Sequence, residues 1–224
     1  MKFIKTWVGA ALFFNLAVTA HGAQAVSLDI AASFAAETAS ADARYLARWV
    51  LDTGDHHGQP FVLVDKKAAQ VYVFSAQGQL LGATAALLGS ASGDLSAPGV
   101  GQLMPSQIPA AQRTTPAGRF ASEPGHNAKG EDIVWFDYDA GLALHRLRPA
   151  PAYEQRPARM LSLTPEDNRI SLGCVIVPVA FYDTVVGPLL GRQRGVVYVM
   201  PETQPVQALF APRLHQQQLA ALKP

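Results

Sequence analysis

The sequence contains one cysteine and no excess of charge of either sign. Its 224 residues include 18 lysines and arginines and 17 aspartates and glutamates, for a formal net charge of +1. This balance excludes recruitment to nucleic acid or to an anionic membrane through bulk charge. The single cysteine, Cys174, excludes an internal disulfide. Because the chain carries almost no net charge, an acidic ligand would have to be bound by locally placed arginines.

Long apolar runs are also scarce, and the one that stands out lies at the N-terminus. Lys2 and Lys5 precede the apolar run 7–20, and the small-residue segment 23–25 follows it. This three-part pattern predicts a secretory signal peptide, residues 1–25, with cleavage after Ala25. An uncleaved anchor is the alternative, but the run is short for a span of roughly 20 residues. We therefore expect a periplasmic or secreted protein with no membrane segment after cleavage.

The segment after the signal is expected to be helical. Residues 29–52 contain neither glycine nor proline, and their second half has apolar residues at roughly helical spacing. Ser40 is placed to cap a helix from Ala41 to Leu51, and Gly54 to end it. We assign residues 26–58 to a helical N-terminal extension. The turn at its end carries two aspartates and two histidines, which we interpret as an exposed loop rather than a metal site.

Short apolar runs separated by turn residues make up most of the remaining chain, which predicts a mainly β domain with flanking helices. The runs are 61–64 and 71–74, which form a hairpin, then 80–88, 133–138, 142–145 and 195–200. Residues 178–190 predict a helix that Gly187-Pro188 frays or ends. Residues 89–129 show no sustained periodicity of apolar residues. We therefore expect this segment to form a lid or wall over a site, or simply an irregular connection. We assign residues 59–202 to this domain and residues 203–224 to a C-terminal tail.

The stretch from Asn168 to Pro178 surrounds the only thiol. Cys174 follows small and polar residues and precedes the apolar run 175–177. Gly173, without a side chain, would let a substrate backbone come close. A lone thiol is buried and inert, paired with another molecule, or a reactive nucleophile. This setting suits a nucleophile at the edge of a core.

A thiol reacts as the thiolate, and a neighbouring histidine can take its proton and leave an ion pair. His145 is the candidate base, because it ends a predicted strand shortly before the cysteine segment. The alternative is a satisfied core histidine. Four arginines follow closely, at positions 146, 148, 156 and 159. They form either a solvated surface or a clamp for carboxylates, which the planar guanidinium suits.

His145 and the segment Ser171-Leu172-Gly173-Cys174 resemble the active-site motif of L,D-transpeptidase (YkuD-type) catalytic domains. The opening hairpin, the Thr-Pro-x-Gly-x-Phe segment within 113–120 and the closing strand at 196–199 are also similar to segments of that family. The resemblance covers roughly residues 59–202. Two positions depart from the family pattern. Leu172 replaces a histidine, and Ile176 replaces an asparagine or arginine.

The resemblance implies an L,D-transpeptidase-like mixed β-sandwich that acts on peptidoglycan stem peptides through a thioester, without cofactor or metal. It implies Cys174 as nucleophile and His145 as base. Ser171 or a nearby backbone carbonyl would orient the base, and the amides of Gly173 and Cys174 would bind the oxyanion. Substrate carboxylates would be bound by three arginines: Arg119, Arg146 and Arg169.

Two alternatives remain open at this stage. If water rather than an amine accepts the acyl group, the protein is an L,D-carboxypeptidase. If Leu172 and Ile176 have removed groups that catalysis needs, it is a non-catalytic descendant that binds the cell wall.

Overall fold

The computed structural model describes residues 39–212 together with Phe34. The predicted signal peptide, residues 1–25, and the end of the predicted tail, residues 213–224, lie outside the described residues. No helix within the described part of the chain combines the length and apolar character needed to cross a bilayer.

An eight-stranded mixed sheet forms the body of the protein, in the order β3-β2-β1-β10-β5-β6-β7-β9, and β4 pairs with β8 beside it. The pairs β1–β10 and β7–β9 are parallel, and the other neighbours in the large sheet are antiparallel. The strands are β1 Phe61–Asp65, β2 Gln70–Phe74, β3 Leu80–Ala85, β4 Leu88–Gly89, β5 Gly118–His126, β6 Asp132–Asp137, β7 Leu142–Arg146, β8 Arg169–Ser171, β9 Val175–Val177 and β10 Gly195–Val199.

Four helices within residues 39–212 flank the sheet. They are α1 Ala41–Thr53, α2 Arg156–Met160, α3 at residues 179–189 and α4 Val206–Phe210. Short 3-10 turns lie at Val100–Gln102, Pro105–Gln107, Ala110–Gln112, Ala152–Glu154 and Pro165–Asn168. The prediction of a mainly β fold with flanking helices is confirmed.

Each side of the sheet packs against a separate hydrophobic core. In β1, Val62 and Val64 join the core under α3, whereas Phe61 and Leu63 join the core under α1 and α4. Successive side chains of a strand point to opposite faces, so a strand covered on both faces is apolar throughout. The residues of β1 are all buried. Strands β1 and β10 are neighbouring interior strands of the sheet, and all residues of both are buried.

Helix α1 begins and ends as its sequence predicts. Ser40 has extended backbone angles, and its hydroxyl accepts a hydrogen bond from the Ala43 N–H at 3.0 Å. Gly54 ends the helix in the left-handed conformation, with φ 65°. Helix α4 lies in the predicted tail, yet its residues Val206 and Phe210 are buried in the same core as α1.

Two elements differ from the sequence prediction. Strand β5 lies within the region expected to be irregular, because its partly exposed residues and Pro124 hide the strand pattern. Helix α3 also continues past Gly187 to Leu189. Its central turn, Tyr182–Val186, is a π-helix in which the Gly187 N–H bonds to the Tyr182 carbonyl five residues earlier. The α-helical turn restarts at Gly187, and Pro188 lies in the first positions of this turn. The N–H groups there have no partner within the turn, so the proline removes no hydrogen bond.

A buried ionic network connects the long loop 90–117 to the ends of the central strands. The ammonium of Lys66, whose side chain is 0% exposed, donates to Gly93 O at 2.6 Å, to Asp94 Oδ1 at 2.7 Å and to Thr115 O at 3.0 Å. Asp94 also accepts the N–H of Glu202 at 2.8 Å. A network of buried charges with several partners favours one position for this loop, and Thr115 of the same loop donates to the carbonyl of Gly173, the residue before the thiol.

Candidate active site

His145 lies on β7, and Cys174 directly precedes the neighbouring strand β9 on the same side of the sheet. The parallel register of β7 and β9 places His145 opposite Ile176, two residues after Cys174. Residues two apart on a strand share a face. Both side chains line a cleft of about 700 Å³. The two residues that the sequence analysis assigned to nucleophile and base are therefore brought together by the fold.

His145 is held in one tautomer by a backbone carbonyl. Its ring is 7% exposed, and Nδ1 lies 2.8 Å from the Arg146 carbonyl oxygen. A carbonyl only accepts, so Nδ1 carries the proton and Nε2 of the neutral ring is an acceptor. Burial lowers the pKa of His145 to about 4, and the charges of Arg148 and Arg156 add to this effect. The imidazole is therefore neutral near pH 7.

Cys174 is protonated in the resting site. Its Sγ lies 3.7 Å from the Gly141 carbonyl oxygen. Burial raises the pKa of the thiol, while a backbone hydrogen bond with Ala143 and the charges of Arg148 and Arg156 act in the opposite direction. The resting pair is thus a neutral thiol beside a neutral imidazole, rather than the ion pair considered from the sequence. Removal of the thiol proton then has to accompany the attack on a substrate.

Ser171 holds the turn that carries the thiol rather than the ring of His145. Its hydroxyl donates to the Cys174 carbonyl at 2.7 Å and accepts the N–H of Gly173 at 3.0 Å. The orienting contact on the base is the backbone carbonyl, the other candidate from the sequence. The Gly173 N–H already has a partner, which leaves the amide of Cys174 as the oxyanion donor to consider.

Gly173 is required by its surroundings within the protein. Its φ of 131° is a conformation that other residues rarely adopt. A Cβ at this position would also lie 2.8 Å from both Thr114 O and Leu142 Cδ2. The Gly173 carbonyl accepts a hydrogen bond from Thr115 Oγ1 at 2.8 Å. The close approach predicted for a substrate backbone is thus made by the loop at residues 114–115.

Two of the three arginines predicted to bind substrate have partners away from the cleft. Arg119 Nε lies 2.6 Å from Asp55 Oδ2. Arg146 lies 2.9 Å from Asp183, with its guanidinium 4.5 Å from the centroid of the Tyr182 ring. Neither is among the residues that line the cleft. Asp55 thus belongs to an ion pair, in the turn that we interpreted as a loop.

The third predicted arginine, Arg169, belongs to the ionic network. It pairs with Glu202 and donates to the Lys66 carbonyl at 3.0 Å. The cleft is instead lined by Arg148 and Arg156, two members of the basic loop that the sequence analysis noted. The distance of Arg148 and Arg156 from Cys174 in the sequence did not predict that these two arginines would line the cleft.

The walls of the cleft are mainly apolar. The loop between β4 and β5 contributes four apolar side chains, those of Val100, Leu103, Pro105 and Ile108, together with Gly101. The segment 149–151 and Trp135 also line the cleft. Leu172 and Ile176, the two departures from the family motif, also line the cleft. A mainly apolar cleft with few polar groups is typical of a small-ligand site, and the loop acts as the wall considered from the sequence.

Metal ligands are not concentrated anywhere in residues 39–212: no group of three or more histidine, cysteine, aspartate or glutamate side chains there is arranged to hold an ion. In the turn after α1, His56 is 7% exposed and its Nε2 lies 3.1 Å from the Ala76 carbonyl oxygen. Part of this turn is therefore buried rather than exposed as expected.

Comparison with known proteins gives matches among solved structures alone. No family model matches the chain, and no curated protein matches it. An L,D-transpeptidase from Xylanimonas cellulosilytica is 19% identical, with a TM-score of 0.37 over 63% of this chain and 60% of that one. The catalytic domain from the E. faecium L,D-transpeptidase is 18% identical, with a TM-score of 0.37 over 64% and 98%. The helical cell shape determining protein from Campylobacter jejuni is 15% identical, with a TM-score of 0.40 over 78% and 62%.

The match therefore spans about three-fifths of the Xylanimonas chain and nearly all of the E. faecium domain. Several of the solved structures that this chain resembles are L,D-transpeptidases, at low sequence identity. The assignment of chemistry rests on the geometry of the residues themselves.

Proposed function

We propose that this protein is a periplasmic, cysteine-dependent L,D-transpeptidase that acts on peptidoglycan stem peptides. The observation that carries the proposal is that Cys174 and His145 line one cleft from neighbouring segments of the sheet. The imidazole carries its proton on Nδ1, and Nε2 is an acceptor. A nucleophile, a base and a group that orients the base are the parts that acyl transfer needs.

The first step breaks a peptide bond of the donor. His145 Nε2 takes the thiol proton as Cys174 Sγ attacks the carbonyl carbon after the third residue of the stem peptide. The proton then passes to the leaving nitrogen, and the terminal D-amino acid departs as an amine. A thioester remains on Cys174. The oxyanion of the tetrahedral intermediate would accept the backbone N–H of Cys174.

In the second step an amine of another stem peptide attacks the thioester. The imidazole takes a proton from that amine and returns one to the sulfur, so the enzyme is restored and a new peptide bond is formed. Because burial disfavours the imidazolium, the charged pair exists only while negative charge develops on the substrate. The low polarity of the cleft strengthens that interaction.

Arg148 and Arg156 are the groups we propose to bind substrate carboxylates. Arg148 Nε lies 2.9 Å from Glu131, and Arg156 pairs with Glu154. A guanidinium has five N–H donors, so these pairs leave donors for a second carboxylate. Their positive charge also favours the thiolate. The arginines therefore act on both the substrate and the nucleophile.

A non-catalytic wall-binding protein is the second candidate. It is favoured by the neutral resting thiol and by the apolar side chains of Leu172 and Ile176 in the cleft. The two candidates differ in whether a covalent intermediate forms. A carboxypeptidase would form the same intermediate but transfer it to water.

The test is the intact mass of the mature protein after brief incubation with a muropeptide tetrapeptide, together with analysis of the products. We expect an adduct of the tripeptide acyl group and released D-alanine, both absent in Cys174→Ala. His145→Gln should slow adduct formation at least 100-fold, in the range typical of general base catalysis. Crosslinked dimers identify the amine as acceptor, and free tripeptide identifies water. Tetrapeptide binding without adduct or turnover would refute catalysis and favour the wall-binding protein.

A further inference from the structure

A second depression lies beside the cleft on the same side of the sheet. It has a volume of about 360 Å³, and we call it the aromatic groove. Its lining includes Gln59, Glu123, Trp135, Tyr138 and Arg194. Trp135 lines both the aromatic groove and the cleft. The two depressions therefore form one continuous surface through a single indole ring.

The groove combines an aromatic corner with a polar rim. The rings of Trp135 and Tyr138 have centroids 5.1 Å apart at an interplanar angle of 69°. Tyr138 is 73% exposed. On the rim, Arg194 Nη2 lies 3.2 Å from Glu123 Oε2, so the two charges compensate each other. An ionic ligand has no net attraction here, whereas a neutral polyhydroxyl ligand finds donors, acceptors and aromatic faces.

One further feature supports a preformed site. A Cβ at Gly125 would lie 2.6 Å from Trp135 Cδ1, so the indole rests directly on the glycine backbone of the adjacent strand. The groove thus holds a fixed aromatic platform.

The strand register sets the distance between the groove and the thiol. Ala143 lies opposite Trp135, which lies opposite Glu123, and the parallel pairing of β7 and β9 places Cys174 next to Ala143. With strands ~4.8 Å apart, Trp135 is about 10 Å from Cys174 along the sheet and Glu123 about 14 Å. Three extended residues span about 10 Å. A stem peptide that is cleaved after its third residue and runs across β7 and β6 would therefore begin near Trp135.

We propose that the aromatic groove binds the amino sugar to which the stem peptide is attached. This inference rests on the proposed function, since it takes the donor peptide to be cleaved at Cys174. The apolar C–H face of a pyranose ring packs on an aromatic face, and its hydroxyl and acetamido groups hydrogen-bond to the rim. Gln59, Glu123 and Arg194 supply that rim. The enzyme then selects stem peptides that remain on the glycan strand.

Two donors of the same peptide sequence test the proposal: the tetrapeptide alone and the tetrapeptide carrying its disaccharide. We expect the disaccharide to lower KM about three- to tenfold, the range of one aromatic contact. Tyr138→Ala should abolish this advantage and leave the kinetics of the free tetrapeptide unchanged. Tyr153→Ala is the matched control, since Tyr153 is 81% exposed and outside the groove lining. An advantage of equal size in Tyr138→Ala would overturn the proposal.

A binding measurement separates this proposal from the chemistry. In Cys174→Ala, the disaccharide N-acetylglucosaminyl-N-acetylmuramic acid should shift the indole N–H resonance of Trp135, assigned with Trp135→Phe. If the resonance shifts but the unmodified protein turns over neither donor, the proposed enzymatic activity is refuted and the sugar site is retained. Turnover of both donors at equal KM, with no shift, would refute the sugar site and retain the enzyme.

Discussion

Replacing Lys66 by methionine should destabilise the protein strongly, although the residue lies outside the cleft. The ammonium is fully buried and donates to Asp94 and to the carbonyls of Gly93 and Thr115. Methionine retains the apolar stem but leaves Asp94, whose side chain is 6% exposed, without its cation. Breaking one side of a buried pair costs roughly 3–5 kcal/mol. Because Asp94 retains other hydrogen-bond donors, we expect a loss of about 3 kcal/mol.

Lys67→Met is the matched control, one residue along the chain. Its pair with Asp42 is 3.3 Å long, and the two side chains are 50% and 35% exposed. Exposed pairs contribute about 0–1 kcal/mol. Urea unfolding of both variants gives the two free energies. Losses that agree within about 1 kcal/mol would refute the assignment of Lys66 to a buried network. Partial recovery of stability in Lys66→Met combined with Asp94→Asn would support it.

Two further predictions concern the site itself. Because the folded pKa of His145 is about 4 and its unfolded pKa is near 6.5, the unfolded chain takes up the proton first as pH falls. The contribution of the neutral, buried His145 to the free energy of unfolding is therefore fully present above pH 6.5, and about 3 kcal/mol of it is lost towards pH 4. Urea unfolding across this range measures the loss. An equal loss in His145→Gln would contradict the assignment of this pH dependence to His145. Gly173→Ala should lower the free energy of unfolding by about 2–4 kcal/mol, because the strain of the positive φ adds to the close contact of the new Cβ with Thr114 O. Gly130 also has a positive φ but lies in open space, so Gly130→Ala should lower the free energy of unfolding by about 1 kcal/mol. Equal losses in the two variants would show that the close contact at Gly173 is unimportant.

The strands that sequence analysis located were those with a strong local pattern. The hairpin of β1 and β2 has two short apolar runs around a polar turn, and the two strands pair antiparallel as predicted. Strand β5 was missed because its exposed positions and Pro124 give no alternation. Its place in the sheet depends on pairing with β10 and β6, which are distant in sequence. Long-range pairing of this kind leaves little trace in a local window.

The arginines show the same limit at the level of chemistry. A guanidinium is recognised in the sequence, but its partner is chosen by the fold. Arg119 meets Asp55 and Arg169 meets Glu202, across 64 and 33 residues. Arg148 and Arg156 line the cleft because the basic loop after β7 folds against it. The residue type was predictable, whereas the direction of the side chain was not.

The sequence by itself determined the capped helix α1, most strands and the two residues proposed as nucleophile and base. These depend on local periodicity, on caps and on the identity of the only thiol. The tertiary structure alone decided that Ser171 holds the cysteine turn and that the Arg146 carbonyl orients His145. It also decided that thiol and imidazole are both neutral at rest. Burial shifts a pKa through every neighbour that excludes water, and those neighbours come together only when the chain has folded.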